Sequence, residues 1–295
     1  LSFNYLRWSQ VAYAGERTSP KDGVTPNAGS WPLFYFSRDQ RGFLTPEGDP
    51  FDVPVADPNH IPFEQELQAV HSALANADRR GVALAEYYGT GVPTKQWTPV
   101  ADRLIDTYGV TPVEAARILA VLHQALQDTM VVVWAEKYKW DVARPNQYDQ
   151  ELRTLLCTPR FPAYPSGHSA LSGCAEEILS YFFPGERRPL HQVAEDNALS
   201  RLIAGVHFPA DNTEGLKLGR TMGHFIVQQL HEDTDAEGRP VDRRFHENLQ
   251  ADIFPRRYEQ FIPFEFPKRC SSLVETKSGP EKEKNEEVAK PKLYI

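Results

Sequence analysis

The most regular pattern in the chain runs from Thr111 to Lys137. Leu119, Leu122, Leu126, Met130 and Val133 recur three or four residues apart, the spacing that lines one face of an α-helix. Just upstream, Thr111-Pro112-Val113-Glu114 reads as a helix start. It has a threonine cap, proline at the first helical position, and a glutamate placed to close a capping box. Four residues beyond Val133 the stripe meets Lys137. That lysine is either snorkelling from a helix end or a charge where a core residue belongs. Similar patterning predicts helices over roughly 64–77, 78–88, 98–108, 167–183, 190–206 and 212–231. The last has Asp211 or Asn212 as cap and Leu216, Met222, Ile226 and Leu230 in its apolar set.

Outside these segments the pattern breaks down. Residues 1–62 hold eight of the 24 prolines, with turn-prone pairs such as Asp49-Pro50 and Asp57-Pro58, and predict an irregular wrapping arm with at most short strands. Residues 232–274 return to an irregular, Pro- and aromatic-containing layer, and the mixed-charge stretch 275–295 predicts a disordered tail. No internal repeat is visible. The expectation is an all-α fold: one domain over 1–274, a helical bundle (63–231) with proline-rich irregular segments at both ends.

Composition narrows the function classes. With 295 residues, 41% hydrophobic and 24% charged, the chain can bury a sizeable core and is ordinary for a soluble protein. A net charge of -8 argues against a general binder of nucleic acid or of anionic membranes, which use basic surfaces. It leaves room for one local basic pocket. No unbroken run approaches the ~18–20 apolar residues of a membrane span, and the densest, Met130 to Trp134, is far shorter. The expectation is a soluble protein with no span and no visible signal peptide. Cys157, Cys174 and Cys270 are odd in number and widely spaced, which predicts buried free thiols rather than a disulfide framework.

Three motifs carry candidate chemistry. "KYKWDVARP" gives Lys137, six residues, then Arg144-Pro145; proline disfavours helix at the residue before it, so Arg144 should sit where the helix gives way. "FPAYPSGHSALSG" contains Pro165-Ser166-Gly167-His168: a hydroxyl cap, a glycine that lets backbone approach a ligand, and free amides at a helix start that attract an anion. "SRLIAGVHFPAD" gives Ser200-Arg201, then His207 and Asp211, with Pro209 expected to end the helix just after His207. Lys137, Arg144 and Arg201 can neutralise a tetrahedral oxyanion, the guanidinium forks bonding pairs of oxygens. One imidazole can attack or ligate the central atom while the other handles a proton. Asp211 behind His207 would fix its tautomer and raise its basicity.

In this order, K-x6-R-P, P-S-G-H and S-R-x5-H-x3-D resemble the signature of the type 2 phosphatidic acid phosphatase (PAP2) and vanadium haloperoxidase superfamily, over about residues 119–231. The resemblance implies a helical bundle with Lys137, Arg144, Ser166, Gly167 and Arg201 as the oxyanion cradle. It implies that His207 is a vanadium ligand or a phosphorylated nucleophile, His168 the acid–base residue, and Asp211 the orienter of His207. Phe161, seven residues before His168, lies in a segment that resembles the one preceding this motif in fungal vanadium chloroperoxidases. Trp134, three before Lys137, resembles a tryptophan those enzymes place near the halide. "GVHFPADNTEGLKLGR" is similar to bacterial vanadium haloperoxidase-type members, and Phe161 and Trp134 are the halide-pocket candidates. The first expectation is therefore a vanadate-dependent haloperoxidase, with vanadate as cofactor, turning hydrogen peroxide and halide into hypohalous acid. The alternative is an acid phosphatase that hydrolyses phosphomonoesters through a phosphohistidine at His207 and needs no cofactor.

Other readings fall short. "GHSAL" lacks the second glycine of a nucleophile elbow, with Leu171 in its place. A divalent metal held by His207 and Asp211 would need a helical face that Pro209 interrupts. A non-catalytic oxyanion-binding protein would need the cations but neither histidine. His60, His71, His123, His191, His224, His231 and His246 have no assigned role.

Overall fold

The computed structural model describes residues 3–260 and 270–275; the tail expected to be disordered lies almost wholly outside them. Among the described residues the helices are α1 (Phe63–Ala75), α2 (Arg79–Gly89), α3 (Thr98–Thr107), α4 (Pro112–Trp140), α5 (Pro145–Tyr148), α6 (Gly167–Phe182), α7 (Arg187–Ile203) and α8 (Pro209–Leu230). The β-structure is slight: β1 (Ser37–Arg38) pairs antiparallel with β2 (Phe43–Leu44), Ser37 opposite Leu44. The all-α expectation holds.

The start signal of α4 works as its residues dictate. The Glu114 carboxylate accepts from the Thr111 amide (3.1 Å) and hydroxyl (2.7 Å), and Pro112 needs no partner at the first position. Leu122, Leu126 and Val133 lie in the core. Lys137 continues that stripe and is fully buried, so it does not snorkel. Asp141 (φ 55°) closes the helix, and Arg144 is extended (φ -80°, ψ 158°) ahead of Pro145. By length and mean hydropathy (1.4 over its most apolar window) α4 passes as a membrane-crossing helix, although no unbroken apolar run exists; 61% of that window is buried inside the bundle. Core packing accounts for its apolarity.

Helix α6 is the hub: every residue except Glu177 is buried. Its closest neighbour is α8, and glycine makes the approach possible. A Cβ on Gly219 would sit 1.9 Å from the Ala170 carbonyl oxygen, and one on Gly215 would sit 2.6 Å from that of Ser166. Gly215 lies beside Ser166 and Gly219 beside Ala170, so α6 and α8 run parallel and begin at the same end of the bundle. The Ser166 amide donates to the Asp211 carbonyl there (2.8 Å). The N-terminal arm is strapped to α4 by Asp128, whose buried carboxylate accepts from the amides of Phe34, Tyr35 and Phe36 (2.8, 2.8 and 3.0 Å).

Two expectations are corrected. Pro209 opens α8 instead of closing the helix before it. Helix α7 has already stopped at Ile203, with Gly205 at φ +75°, a conformation glycine adopts without a Cβ clash. His207 therefore lies in the α7–α8 linker, and Asp211 is in the first turn of α8, not at its cap. The cysteines also differ. Cys157 and Cys270 form a disulfide (Cα–Cα 5.8 Å, sequence separation 113), and only Cys174 is a buried free thiol among the described residues. Spacing gave no hint of the pair because the parallel bridge Thr154–Val274 brings two remote segments together. Closing so long a loop restricts the unfolded chain, and Cys157→Ser with Cys270→Ser is expected to cost about 2–5 kcal/mol. Denaturant unfolding, with and without reductant, measures it.

Candidate active site

All the residues singled out from the three motifs meet at the end of the bundle where α6 and α8 begin and α4 and α7 finish. Asp211 Oδ2 accepts from His207 Nδ1 (2.8 Å) and from the Phe208 amide (2.9 Å). His207 Nε2 lies 2.9 Å from Arg144 Nη1. A guanidinium can only donate, so Nε2 holds a lone pair and Nδ1 holds the proton. That tautomer follows from the two neighbours, and it aims an acceptor atom away from Asp211.

Arg144 is fully buried. Its backbone amide donates to Gln147 Oε1 (2.8 Å), Nε to the Phe161 carbonyl (3.0 Å) and Nη1 to the Val206 carbonyl (2.8 Å). Lys137 Nζ donates to the carbonyls of Pro162 (2.8 Å) and Ala163 (2.7 Å), which leaves one of its three protons. Ser166 caps α6, its hydroxyl accepting from the Ser169 amide. Arg201 closes the other side and, like Ser166 and Lys137, is almost wholly shielded from solvent.

His168 is held differently. Its Nε2 lies 3.1 Å from the Tyr88 carbonyl, which can only accept, so Nε2 carries the proton and Nδ1 is bare. Burial first, then the nearby cations, pushes both imidazoles well below the ordinary histidine range; Arg201 is the leading cation at His168 and Arg144 at His207. Both are neutral bases at pH 7.

The charge balance is lopsided. Burial lowers Lys137 well below its usual value, Arg144 to about 10 and Arg201 to about 9. Burial likewise raises Asp211 to about 7, opposed by the Phe208 amide and by Lys137 and Arg144. Asp211 is the only described carboxylate acting on Lys137 and Arg144, and none acts on Arg201. Arg144 Nη2, Arg201 Nε and Nη1, and Asp211 Oδ1 have no partner. Buried N–H groups without acceptors are costly, and surplus buried charge more so.

Residues 117–235 match the PAP2 superfamily. That stretch, most of α4 through α8, is the part of the chain similar to the PAP2 superfamily; α1–α3 lie before it. No curated protein sequence matches the chain. Among solved structures it is similar to a bacterial vanadium-dependent iodoperoxidase (22% identity, TM-score 0.61, 78% of this chain and 62% of that one). It is also similar to a bacterial vanadium-dependent chloroperoxidase in its holo form (17% identity, TM-score 0.57, 77% and 62%). At these identities the likeness is one of fold, and the chain spans about 62% of the length of those proteins.

The site fits a tetrahedral oxyanion by its own chemistry. Arg144 and Arg201 bring partnerless N–H groups to the end of the bundle where α6 begins, and the Gly167 and His168 amides of its first turn have no intrahelical acceptor. A Cβ on Gly167 would make ordinary contacts with Trp134 and Met130, at 3.7–3.8 Å, so glycine relieves no clash there. Trp134 and Phe161 form a wall, ring centroids 4.9 Å apart. The Phe161 ring centroid lies 4.9 Å from Arg144 Cζ and 5.2 Å from Lys137 Nζ. Among the described residues no group of three or more His, Cys, Asp or Glu side chains is arranged to hold a metal ion.

Sequence reasoning missed the contribution of α2. Its Tyr88 carbonyl fixes His168, and a Cβ on Gly89 would come within 3.1 Å of Arg201 Nη1. The PAP2 match begins after α2, and a backbone carbonyl leaves no side-chain signature to find.

Proposed function

We propose that the chain is a vanadate-dependent haloperoxidase that oxidises halide with hydrogen peroxide to hypohalous acid. The observation that carries this reading is the pairing of two features at one site: buried guanidinium N–H groups of Arg144 and Arg201 without acceptors, and an aromatic wall whose Phe161 ring packs on Arg144 and on Lys137. Lys137, Arg144, Ser166, Gly167 and Arg201 would hold vanadate by its oxygens, with His207 Nε2 as the ligand to vanadium. When bound, vanadate supplies a Lewis acid that activates peroxide without changing its own oxidation state.

The chain's own residues do the rest. Asp211 keeps the proton of His207 on Nδ1, so Nε2 keeps its lone pair, which Arg144 Nη1 engages (2.9 Å) and would give up to a ligand. His168 Nδ1 is bare and takes a proton from incoming hydrogen peroxide, while the Tyr88 carbonyl holds the opposite nitrogen. The remaining N–H of Lys137 places positive charge against a peroxide oxygen. Trp134 and Phe161 strip water from the halide, which strengthens every charge interaction beside it. The likeness to vanadium-dependent iodo- and chloroperoxidases supports the same reading.

The cradle also suits a phosphate ester, with His207 Nε2 as nucleophile, His168 donating to the leaving alcohol, and no cofactor. One preparation assayed with and without orthovanadate separates the two. Vanadate-activated bromination of a reporter, with negligible hydrolysis of an aryl phosphate, is the expected result. Hydrolysis that vanadate inhibits, with no bromination, would overturn the haloperoxidase reading.

A further inference from the structure

Gly167 has a second neighbour besides Trp134. Met130 lies one turn before Trp134 on α4, and its Sδ and Cε are each 3.8 Å from where a Cβ on Gly167 would lie. Trp134, Phe161 and His168 are 5–7% exposed, whereas Met130 is only half-buried. A half-buried thioether thus stands beside Gly167, one helical turn from Trp134. The other sulfur groups are buried or already paired. Met222, the chain's second methionine, is fully buried on α8. Cys174 is buried with its thiol pushed up to about 12 by that burial, and Cys157 and Cys270 are paired.

We propose that Met130 is a self-modification site: hypohalous acid formed at the cradle oxidises its thioether to the sulfoxide and so limits the enzyme's own turnover. This inference rests on the haloperoxidase reading above. The sulfur gives up two electrons, the halogen leaves as halide, and the oxygen ends on sulfur with release of a proton. Thioether plus hypohalous acid therefore gives sulfoxide, halide and a proton, and no further reactant is needed. The product replaces a flexible apolar group by a polar one beside Trp134, against the face that keeps water from the halide. The change is reversible, because methionine sulfoxide reductases restore the thioether.

The test uses full-length protein loaded with vanadate and supplied with hydrogen peroxide and bromide. Bromination of a reporter and the masses of the Met130 and Met222 peptides are followed in the same tube. The Met130 peptide is expected to gain one oxygen in step with turnover, Met222 to stay unchanged, and the rate to fall and then recover with methionine sulfoxide reductase. Met130→Leu is expected to give several-fold more turnovers before half the rate is lost. Dilute hypobromous acid added to vanadate-free protein should mark Met130 ahead of Met222, a readout independent of activity. Bromination that proceeds while Met130 stays unoxidised overturns the proposal and leaves the haloperoxidase reading standing. Equal oxidation of both methionines, oxidation by peroxide without bromide, or modification of Trp134 instead would also overturn it. Absence of reporter bromination overturns both, and the reporter signal tells the two failures apart.

Discussion

Replacing Arg201 with methionine is expected to lower vanadate affinity by on the order of 10²–10³-fold, the scale for truncating one partner of a buried hydrogen-bonded charge pair. Arg201 is buried, Nε and Nη1 have no protein acceptor, and no described carboxylate acts on it. Its charge is therefore uncompensated until an anion binds. The same facts predict the opposite sign for stability. A side chain of similar length without charge removes a buried desolvated cation, so the ligand-free Arg201→Met protein should unfold at the same or a higher temperature than the parent. Isothermal titration with orthovanadate and thermal unfolding of the ligand-free protein measure the two effects. An affinity close to the parent's would take Arg201 out of the cradle. Lost affinity together with a large fall in melting temperature would mean that Arg201 is a structural residue.

His168→Ala is expected to behave in the reverse way towards binding and turnover. His168 is neutral, so its loss removes no charge from the cradle, and vanadate affinity should change little. The rate should fall by about 10²–10⁴-fold, the usual contribution of a positioned proton-transfer group. Burial and Arg201 hold the imidazole well below the ordinary histidine range. The base form is therefore present throughout pH 6–8 and is lost only as pH falls through that lowered value. The parent's activity should show no loss from His168 protonation between pH 8 and 6, a feature of the pH–rate profile that the variant cannot test but the parent can. Retained binding with abolished turnover identifies an enzyme. Unchanged turnover in His168→Ala would remove the proton-transfer role from His168.

Much of the site was legible because its parts announce themselves locally. Thr111-Pro112-Val113-Glu114 is a start signal whose chemistry is contained in four residues, and the stripe from Leu119 to Val133 has the helical period. Arg144-Pro145 and Pro165-Ser166-Gly167-His168 are also local, since proline and glycine constrain the backbone wherever they stand. The errors have a common origin. Pro209 was expected to end a helix, yet proline suits the first helical position equally well, and the stop came from Gly205 at φ +75°. The Cys157–Cys270 pair depends on two segments 113 residues apart being brought side by side, which no spacing rule contains.

The sequence by itself determined which groups this protein has for its chemistry: three cations, two imidazoles, a carboxylate and a capped helix start, in segments whose local conformations their own residues dictate. Tertiary structure decided what those groups are able to do. Burial left the Arg144 and Arg201 N–H groups without acceptors, and Asp211 and Arg144 together chose the His207 tautomer. The Tyr88 carbonyl of α2 chose that of His168, and the Gly215 and Gly219 approach set α6 beside α8 so that both begin at one point. The physical reason is that a charge's surroundings, and the partner of each polar atom, are properties of chains brought together in space, and a pattern read along one chain does not contain them.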